Sequence, residues 1–445
     1  MPQRHIFLSA YGQTSFFSIQ TYLAMSSIIS YTLSTKRHTG IGLFLGLIPL
    51  CLQTLHADPL AFEKACLQAF KGEQLPEFSQ NLTQLRKARL AQASRLPNPS
   101  VFYEQESARS TDAFNESSVG LSVNLDFIWK RGSRIKAAEQ KNSASEFELS
   151  SKQLKVSYEI ANMFIDYANW NKELKELGTS IKQHEEALTI SRKLLVKGMI
   201  SAFNLKRIEL RMDELRFSYK ELESNLAGLL AEFQLWVSEE EAIPANANLL
   251  YDISFETAEK AVEHALRNRP DLLAFEANSN WKAEEVKKYK NEKLPEVSLD
   301  ISAKKYPGDN DGFFIGMSME IPLGEKQGDV QFAESEKVSG TLEYKRAKRK
   351  VEREVKAAWQ IWHHLQTDKN SSLGRSQMSE GKNYLQGLQS SFANGEASVI
   401  EYLDGLGSLL TGKQNTLKRH HLKQSAYLRL TYLSASTPSF STPKI

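Results

Sequence analysis

The sequence predicts a mainly α-helical chain with a minor membrane-type β component, built as two copies of one unit. Three observations carry that prediction. First, segments recur at a near-constant offset. Leu96-Pro97-Asn98-Pro99-Ser100-Val101 returns as Leu294-Pro295-Glu296-Val297-Ser298-Leu299, an offset of 198. Val119-Gly120-Leu121-Ser122-Val123 returns as Ile315-Gly316-Met317-Ser318-Met319, and Lys197-Gly198-Met199-Ile200-Ser201 as Asn394-Gly395-Glu396-Ala397-Ser398 (196 and 197). A period of that kind is the mark of a repeated structural unit. Second, apolar residues from Ile208 through Met212, Leu215, Tyr219, Leu222, Leu226, Leu229 and Phe233 to Trp236 are spaced alternately by four and three, a coiled-coil seam. Third, four short segments alternate apolar and polar residues, which is strand periodicity.

The elements follow in order. Residues 1–57 read as a secretory leader, with Met25 as an alternative start. Lys36-Arg37-His38 is a basic n-region, Ile41 to Leu52 an apolar stretch too short to span a bilayer, and Leu55-His56-Ala57 a cleavage site. Lipidation of Cys51 is disfavoured, because Leu50 stands where a small residue is wanted. Without the leader's Arg4, Lys36 and Arg37 (56 − 3), the rest of the chain carries 53 basic and 53 acidic residues. That balance disfavours a polyanion partner such as nucleic acid. Cys66 is then the single cysteine, so no intrachain disulfide forms.

The first copy is assigned to 58–250 and the second to 251–435, each running helix, strand, strand, long helix, turn, long helix; 436–445 is read as a disordered tail. Val101 and Tyr103 begin one strand. In the next, Val119, Leu121, Val123 and Leu125 oppose Gly120, Ser122, Asn124 and Asp126. In the second copy Val297, Leu299, Ile301 and Ala303 oppose Ser298, Asp300, Ser302 and Lys304, and Phe313, Ile315, Met317, Met319 and Ile321 oppose Phe314, Gly316, Ser318 and Glu320. No proline interrupts Ser133 to Lys197, so one helix there would run about 100 Å, with Leu174, Ile181, Leu188 and Leu195 in heptads. A second long helix is expected from Gly328 to Phe392. Gly198 and Gly395 supply the left-handed residue that ends a helix, and Ser201 and Ser398 the caps that start the next. The result is two helical hairpins.

Four membrane strands cannot close a barrel, and an open edge cannot face lipid. If they span a membrane the chain must oligomerise: a dimer supplies eight strands, a trimer twelve. The element order, the Leu-Pro before a strand, Arg269-Pro270-Asp271-Leu272 at the head of the second copy and the Gly-x-x-Ser turns together resemble the TolC-type outer-membrane efflux family over residues 59–435. Asn98-Pro99-Ser100 and Trp129-Lys130-Arg131-Gly132 resemble its heavy-metal, CzcC-like branch. The resemblance implies a homotrimer in the outer membrane of a Gram-negative bacterium, a twelve-stranded lipid-embedded β-barrel continued by a periplasmic α-helical barrel. It implies two partners, a periplasmic adaptor (a membrane fusion protein) and an inner-membrane pump of the resistance-nodulation-division type, and no cofactor. On that reading Asn124, Asp126, Asp300, Lys304, Ser318 and Glu320 face the lumen and Met317 faces lipid. Gly198, Met199, Ser201, Gly395, Glu396 and Ser398 form adaptor-docking turns. Glu401 and Asp404 match carboxylates that ring the periplasmic mouth, although Ala397 stands where some members carry a basic residue.

No phosphate loop, His-Glu-x-x-His, Cys-x-x-Cys or Gly-x-Ser-x-Gly occurs, so no enzyme is predicted. His363-His364 and His420-His421 are adjacent pairs whose side chains diverge by about 100° on a helix, unlike metal-binding i, i+4 pairs. Lys345 to Lys350 is a basic run among acids on a helix face. The alternative function is a periplasmic coiled-coil adaptor or scaffold. Adaptors carry one hairpin between compact β-domains, whereas this chain has two hairpins and two strand pairs.

Overall fold

The computed structural model describes residues 62–107, 115–237, 243–245, 248–252, 254–308, 310–321, 326–367 and 373–441. The leader assigned to 1–57 lies outside the described residues. The first copy opens with α1 (Phe62–Gly72) and α2 (Leu75–Ala93), then β1 (Ser100–Ser107), β2 (Asn115–Asn124), α3 (Phe127–Val196) and α4 (Ala202–Trp236). After a three-residue strand, β3 (Asn248–Leu250), the second copy repeats the order. It runs α5 (Ala258–Asn268), α6 (Pro270–Glu292), β4 (Glu296–Tyr306), β5 (Asn310–Glu320), α7 (Gln327–Thr367), α8 (Leu373–Ala393), α9 (Val399–Leu433) and β6 (Ser439–Ser441).

The 70 residues of α3 give a rod of about 105 Å at 1.5 Å per residue. No described helix is long and apolar enough to cross a membrane. Helix α3 packs on α4 and α9, and also on α2 and α6. Ile208, Met212, Leu215, Leu226, Leu229 and Phe233 are buried along α4 as the seam requires. On α3 the deepest line is not the leucine heptad alone. Leu177, Ser180, His184, Ala187, Ser191 and Leu194 are all buried, because a helix with neighbours on two sides needs two seams. The largest core joins both copies, with Phe164, Phe233, Trp362 and Tyr427 at its centre. A smaller core near the turns is closed by Phe392 stacked on Tyr402 at 4.5 Å.

Arg269-Pro270-Asp271-Leu272 acquires a physical reason. Pro270 occupies the first turn of α6, where its missing N–H costs nothing. The buried Arg269 reaches Asp271 at 2.8 Å and Glu354 of α7 at 3.2 Å, tying the start of α6 to the long helix beside it.

Two expectations need correction. The helix expected from Gly328 to Phe392 is two helices, α7 and α8. The five residues between them, 368–372, lie outside the described residues. The tail read as disordered over 436–445 carries β6, paired antiparallel with β3 (Leu249 opposite Phe440). Phe440 is held by Phe62 at 4.6 Å and Phe164 at 5.6 Å; residues 442–445 lie outside the described residues.

Candidate functional site

The four long strands form one antiparallel sheet in the order β1-β2-β4-β5. Their register aligns the alternating residues into rows that cross the sheet. On one face the rows are Tyr103–Val119–Ala303–Phe313, Val101–Leu121–Ile301–Ile315, Val123–Leu299–Met317 and Val297–Met319. On the other they are Glu104–Ser118–Lys304–Gly312, Phe102–Gly120–Ser302–Phe314, Ser100–Ser122–Asp300–Gly316, Asn124–Ser298–Ser318 and Glu296–Glu320.

Burial runs against the usual rule. Val101 is 76% exposed, Met317 70% and Phe313 69%, whereas Ser302 is 3% and Ser118 5% exposed. A sheet packed on a helix would bury the first set. Here the apolar face is bare and the polar face is the more enclosed. Rows on one face are two residues apart, so the four apolar rows cover about 20 Å along the strands. A polar row, Gln105–Ser117–Lys305–Asp311, bounds them at one end. At the other end stand Phe127, Ile128 and Trp129, of which Ile128 is exposed.

The polar face is tied by its own contacts. Lys304 pairs with Glu116 across β4 and β2, and Ser318 Oγ donates to Asp300 at 3.4 Å. Asn124 ends β2 and its side chain accepts the Asp126 N–H at 2.8 Å. Asp126 was expected on the strand but lies beyond it, at the N-terminus of α3, where it meets Lys130 at 3.0 Å. The chain has already turned into the helix there, so strand parity no longer applies. Glu320 closes β5 opposite Glu296, which binds the buried Lys130 at 2.9 Å. Arg131 donates to the Ser94 carbonyl at 2.9 Å. Trp129-Lys130-Arg131-Gly132 is thus a junction that fastens sheet to helices and both copies to each other. That role is independent of any cargo.

At the far end of the long helices the two turns share one geometry. Gly198 and Gly395 have φ of 71° and 77°. Met199 N–H donates to Leu194 O and Gly198 N–H to Leu195 O, both at 2.9 Å. Glu396 and Gly395 repeat this to Ser391 and Phe392 at 2.8 and 3.1 Å. Both are Schellman endings. Ser201 Oγ accepts from Asn204 N–H at 3.3 Å. The turns also touch: the Met199 methyl occupies the space a β-carbon on Gly395 would need.

Glu401 and Asp404 stand on the exposed side of α9, opposite the buried Tyr402, Leu403 and Leu406. Glu401 has a local task. Its carboxylate accepts the Ser398 N–H at 2.7 Å while Ser398 Oγ accepts the Glu401 N–H at 3.2 Å, a capping box. The Ser398 backbone N–H, and then its hydroxyl, hold the Glu401 carboxyl below its ordinary pKa.

Polar pairing between α3 and α9 left no trace in the apolar pattern. Asp166 meets His421 at 2.7 Å, Asn169 meets Gln424 at 2.7 Å, Glu173 meets Gln414 at 3.2 Å and Glu176 meets Lys413 at 2.6 Å. Further along α3, His184 is 1% exposed with Nδ1 2.8 Å from Ser180 O. Burial pushes its pKa down, and Arg211 adds to the effect. His420 is lowered by burial and then by Lys172. His363 stacks on Trp359 at 4.7 Å. Among the described residues no group of three His, Cys, Asp or Glu is placed to hold a metal.

No protein-family model and no curated protein sequence matches the chain. Solved structures do. CusC, described by its transmembrane channel formation, aligns over 85% of this chain and 93% of its own, with a TM-score of 0.65 and 15% identity. The Vibrio cholerae outer-membrane protein VceC aligns over 84% and 96%, with a TM-score of 0.66 and 13% identity. The Campylobacter jejuni CmeC outer-membrane channel aligns over 90% and 94%, with a TM-score of 0.64 and 13% identity. The chain has the fold of a TolC-type outer-membrane channel protomer.

Proposed function

We propose that the chain is one subunit of a homotrimeric efflux duct in a Gram-negative outer membrane, passively conducting substrates delivered by an inner-membrane pump. The observation that carries this reading is the sheet with its apolar face bare and its polar face enclosed. Burying the bare face in lipid removes apolar surface from water at about 25 cal/mol per Å². Each end strand, β1 and β5, has one partner among the described strands, and a lipid-embedded sheet must close. Three copies supply twelve strands, with Asp300, Lys304 and Ser318 toward the lumen and Asn124 and Glu320 at the strand ends. The helical hairpins then extend the tube into the periplasm.

The touching turns form one end surface made of Met199, Ser201, Glu396 and Ser398 around the two glycines. That surface suits a periplasmic adaptor, which couples the duct to a pump of the resistance-nodulation-division type. Glu401 and Asp404, one turn further in, form an acidic ring when three copies meet, and like charges so placed resist close approach and attract cations. Asp404→Asn tests the ring without disturbing the Ser398 cap: loss of block by multivalent cations from the periplasmic side supports it, and unchanged block removes it.

The reading as a whole is tested by fractionation. The chain should leave the envelope only with detergent and migrate as a trimer. A water-extractable monomer would favour the alternative, a periplasmic adaptor or scaffold.

A further inference from the structure

Strand periodicity fails at a few places on the polar face, and the largest misfits are aromatic. Phe102 and Phe314 share one row across the sheet, Phe102–Gly120–Ser302–Phe314, on the side where neighbours are acids, serines and glycines. Neither is turned away into a core. The Phe102 ring rests over Gly120, in the space a β-carbon would fill, and the Phe314 ring does the same over Gly316. Phe314 is 45% exposed. Tyr306 repeats the arrangement over Gly312. Residues that break a local pattern without burying themselves are where function is most often found.

The charges around the rings are mostly negative. Glu104 lies two residues from Phe102 on the same face, and Asp300 stands opposite Gly316, next to Phe314. Neither has an ion-pair partner among the described residues. The row above Glu104 adds Glu106 opposite Glu116. The strand cation on this face, Lys304, is tied to Glu116, and its ammonium sits 5.2 Å from the Phe314 ring centroid. The face therefore already holds one alkylammonium between a ring and a carboxylate. Glu104, two residues from Phe102, also acts on the Lys304 ammonium, which is paired with Glu116.

We infer that Phe102 and Phe314 line the lumen wall with rings that, beside Glu104 and Asp300, favour organic cations carrying an aromatic group over cations without one. The inference rests on the duct reading, which places this face around the passage. Any quaternary ammonium ion can lie between a ring and a carboxylate, and one that carries an aromatic group adds a ring–ring contact. Three copies bring six phenylalanine rings to the lumen wall.

The test uses the purified full-length trimer in planar bilayers with potassium chloride on both sides. Benzyltrimethylammonium and tetramethylammonium carry the same charge and differ in the aromatic group. Current reduction by benzyltrimethylammonium should need about two- to ten-fold less cation than tetramethylammonium, the size of one aromatic pair contact. Phe102→Leu with Phe314→Leu keeps an apolar side chain over each glycine and should erase that difference. Equal potency of the two cations on the unsubstituted trimer overturns the inference, whether or not the variant assembles. So does a difference that survives both substitutions in an assembled variant. A lower thermal stability of the variant with unchanged discrimination also overturns it, since the rings would then only pin strand register. Absence of any channel current would overturn the duct reading itself.

Discussion

The sheet and the helical hairpins follow the same patterning logic and reach opposite outcomes. Along α4 the periodic apolar residues are buried, with Ile208 and Phe233 fully enclosed. Along β5 they are the bare ones, with Phe313, Ile315, Met317 and Met319 all more than half exposed. Both regions hide apolar surface from water, but the hairpins do it within one chain and the sheet needs something outside it. On the proposed reading, a chain that balances these two solutions is adapted to two solvents. Periodicity alone reports that a face is apolar; burial in the folded chain reports which solvent that face is meant for.

That contrast can be broken most forcefully by truncation. Phe233→Ala empties a site packed against Phe164 at 6.0 Å and should cost about 3–5 kcal/mol, read as a lower denaturation midpoint of the detergent-solubilised protein. Phe313→Ala removes as much side chain from a bare strand and should leave that midpoint nearly unchanged. Comparable losses at both would mean that the sheet's apolar face is packed like the hairpin core.

A charge placed on each face of β5 sharpens the comparison. Met317→Arg should cost roughly 2–4 kcal/mol if the residue sits near the bilayer midplane, and Ser318→Arg far less on a wet wall. Membrane-assembled trimer should fall for the first and persist for the second. Equal assembly would remove the distinction between the faces.

The turns offer a smaller effect. Any β-carbon at Gly198 or Gly395 is strained by the left-handed conformation, by about 1–2 kcal/mol. At Gly395 it also displaces the Met199 methyl, while nothing lies within 4 Å at Gly198. Gly395→Ala should therefore lower the melting temperature more than Gly198→Ala. With alanine in place of Met199 the two should become alike.

The smallest effect is a pH dependence inside the hairpins. Burial lowers the His184 pKa below its ordinary 6.5, so the unfolded chain takes up that proton first as pH falls. The contribution of neutral His184 is complete above about 6.5 and declines below it. His184→Leu should flatten the acid side of the stability profile, and His420, shifted the same way, should account for part of what remains. An unchanged slope in the His184 variant would show that its neighbours reorganise to accept the charge.

Much of this was legible because it is local. The α4 seam, the Gly198 and Gly395 endings, the Ser201 and Ser398 caps and the strand alternation each follow from residues within a few positions of one another. The repeat then doubled every signal. What could not be read depends on distance or on polar residues. The β3–β6 pair joins segments more than 180 residues apart through three-residue strands. Ser180, His184, Asn169 and Gln424 are buried polar groups inside helices, and an apolar periodicity cannot point to them. Asp126 looked like strand because alternation carries no stop signal of its own. The capping box is legible as Ser398-x-x-Glu401, a signal confined to four consecutive residues.

The central claim, that the sheet's bare face meets lipid and its polar face meets water, is tested most directly by spin labels placed one at a time at residues 313–319. With the trimer in liposomes, collisions with oxygen report lipid and collisions with a water-soluble nickel chelate report the lumen. Labels at 313, 315, 317 and 319 should favour oxygen and those at 314, 316 and 318 the chelate, a period of two. Uniform access to the chelate, or the opposite phase, would contradict the account.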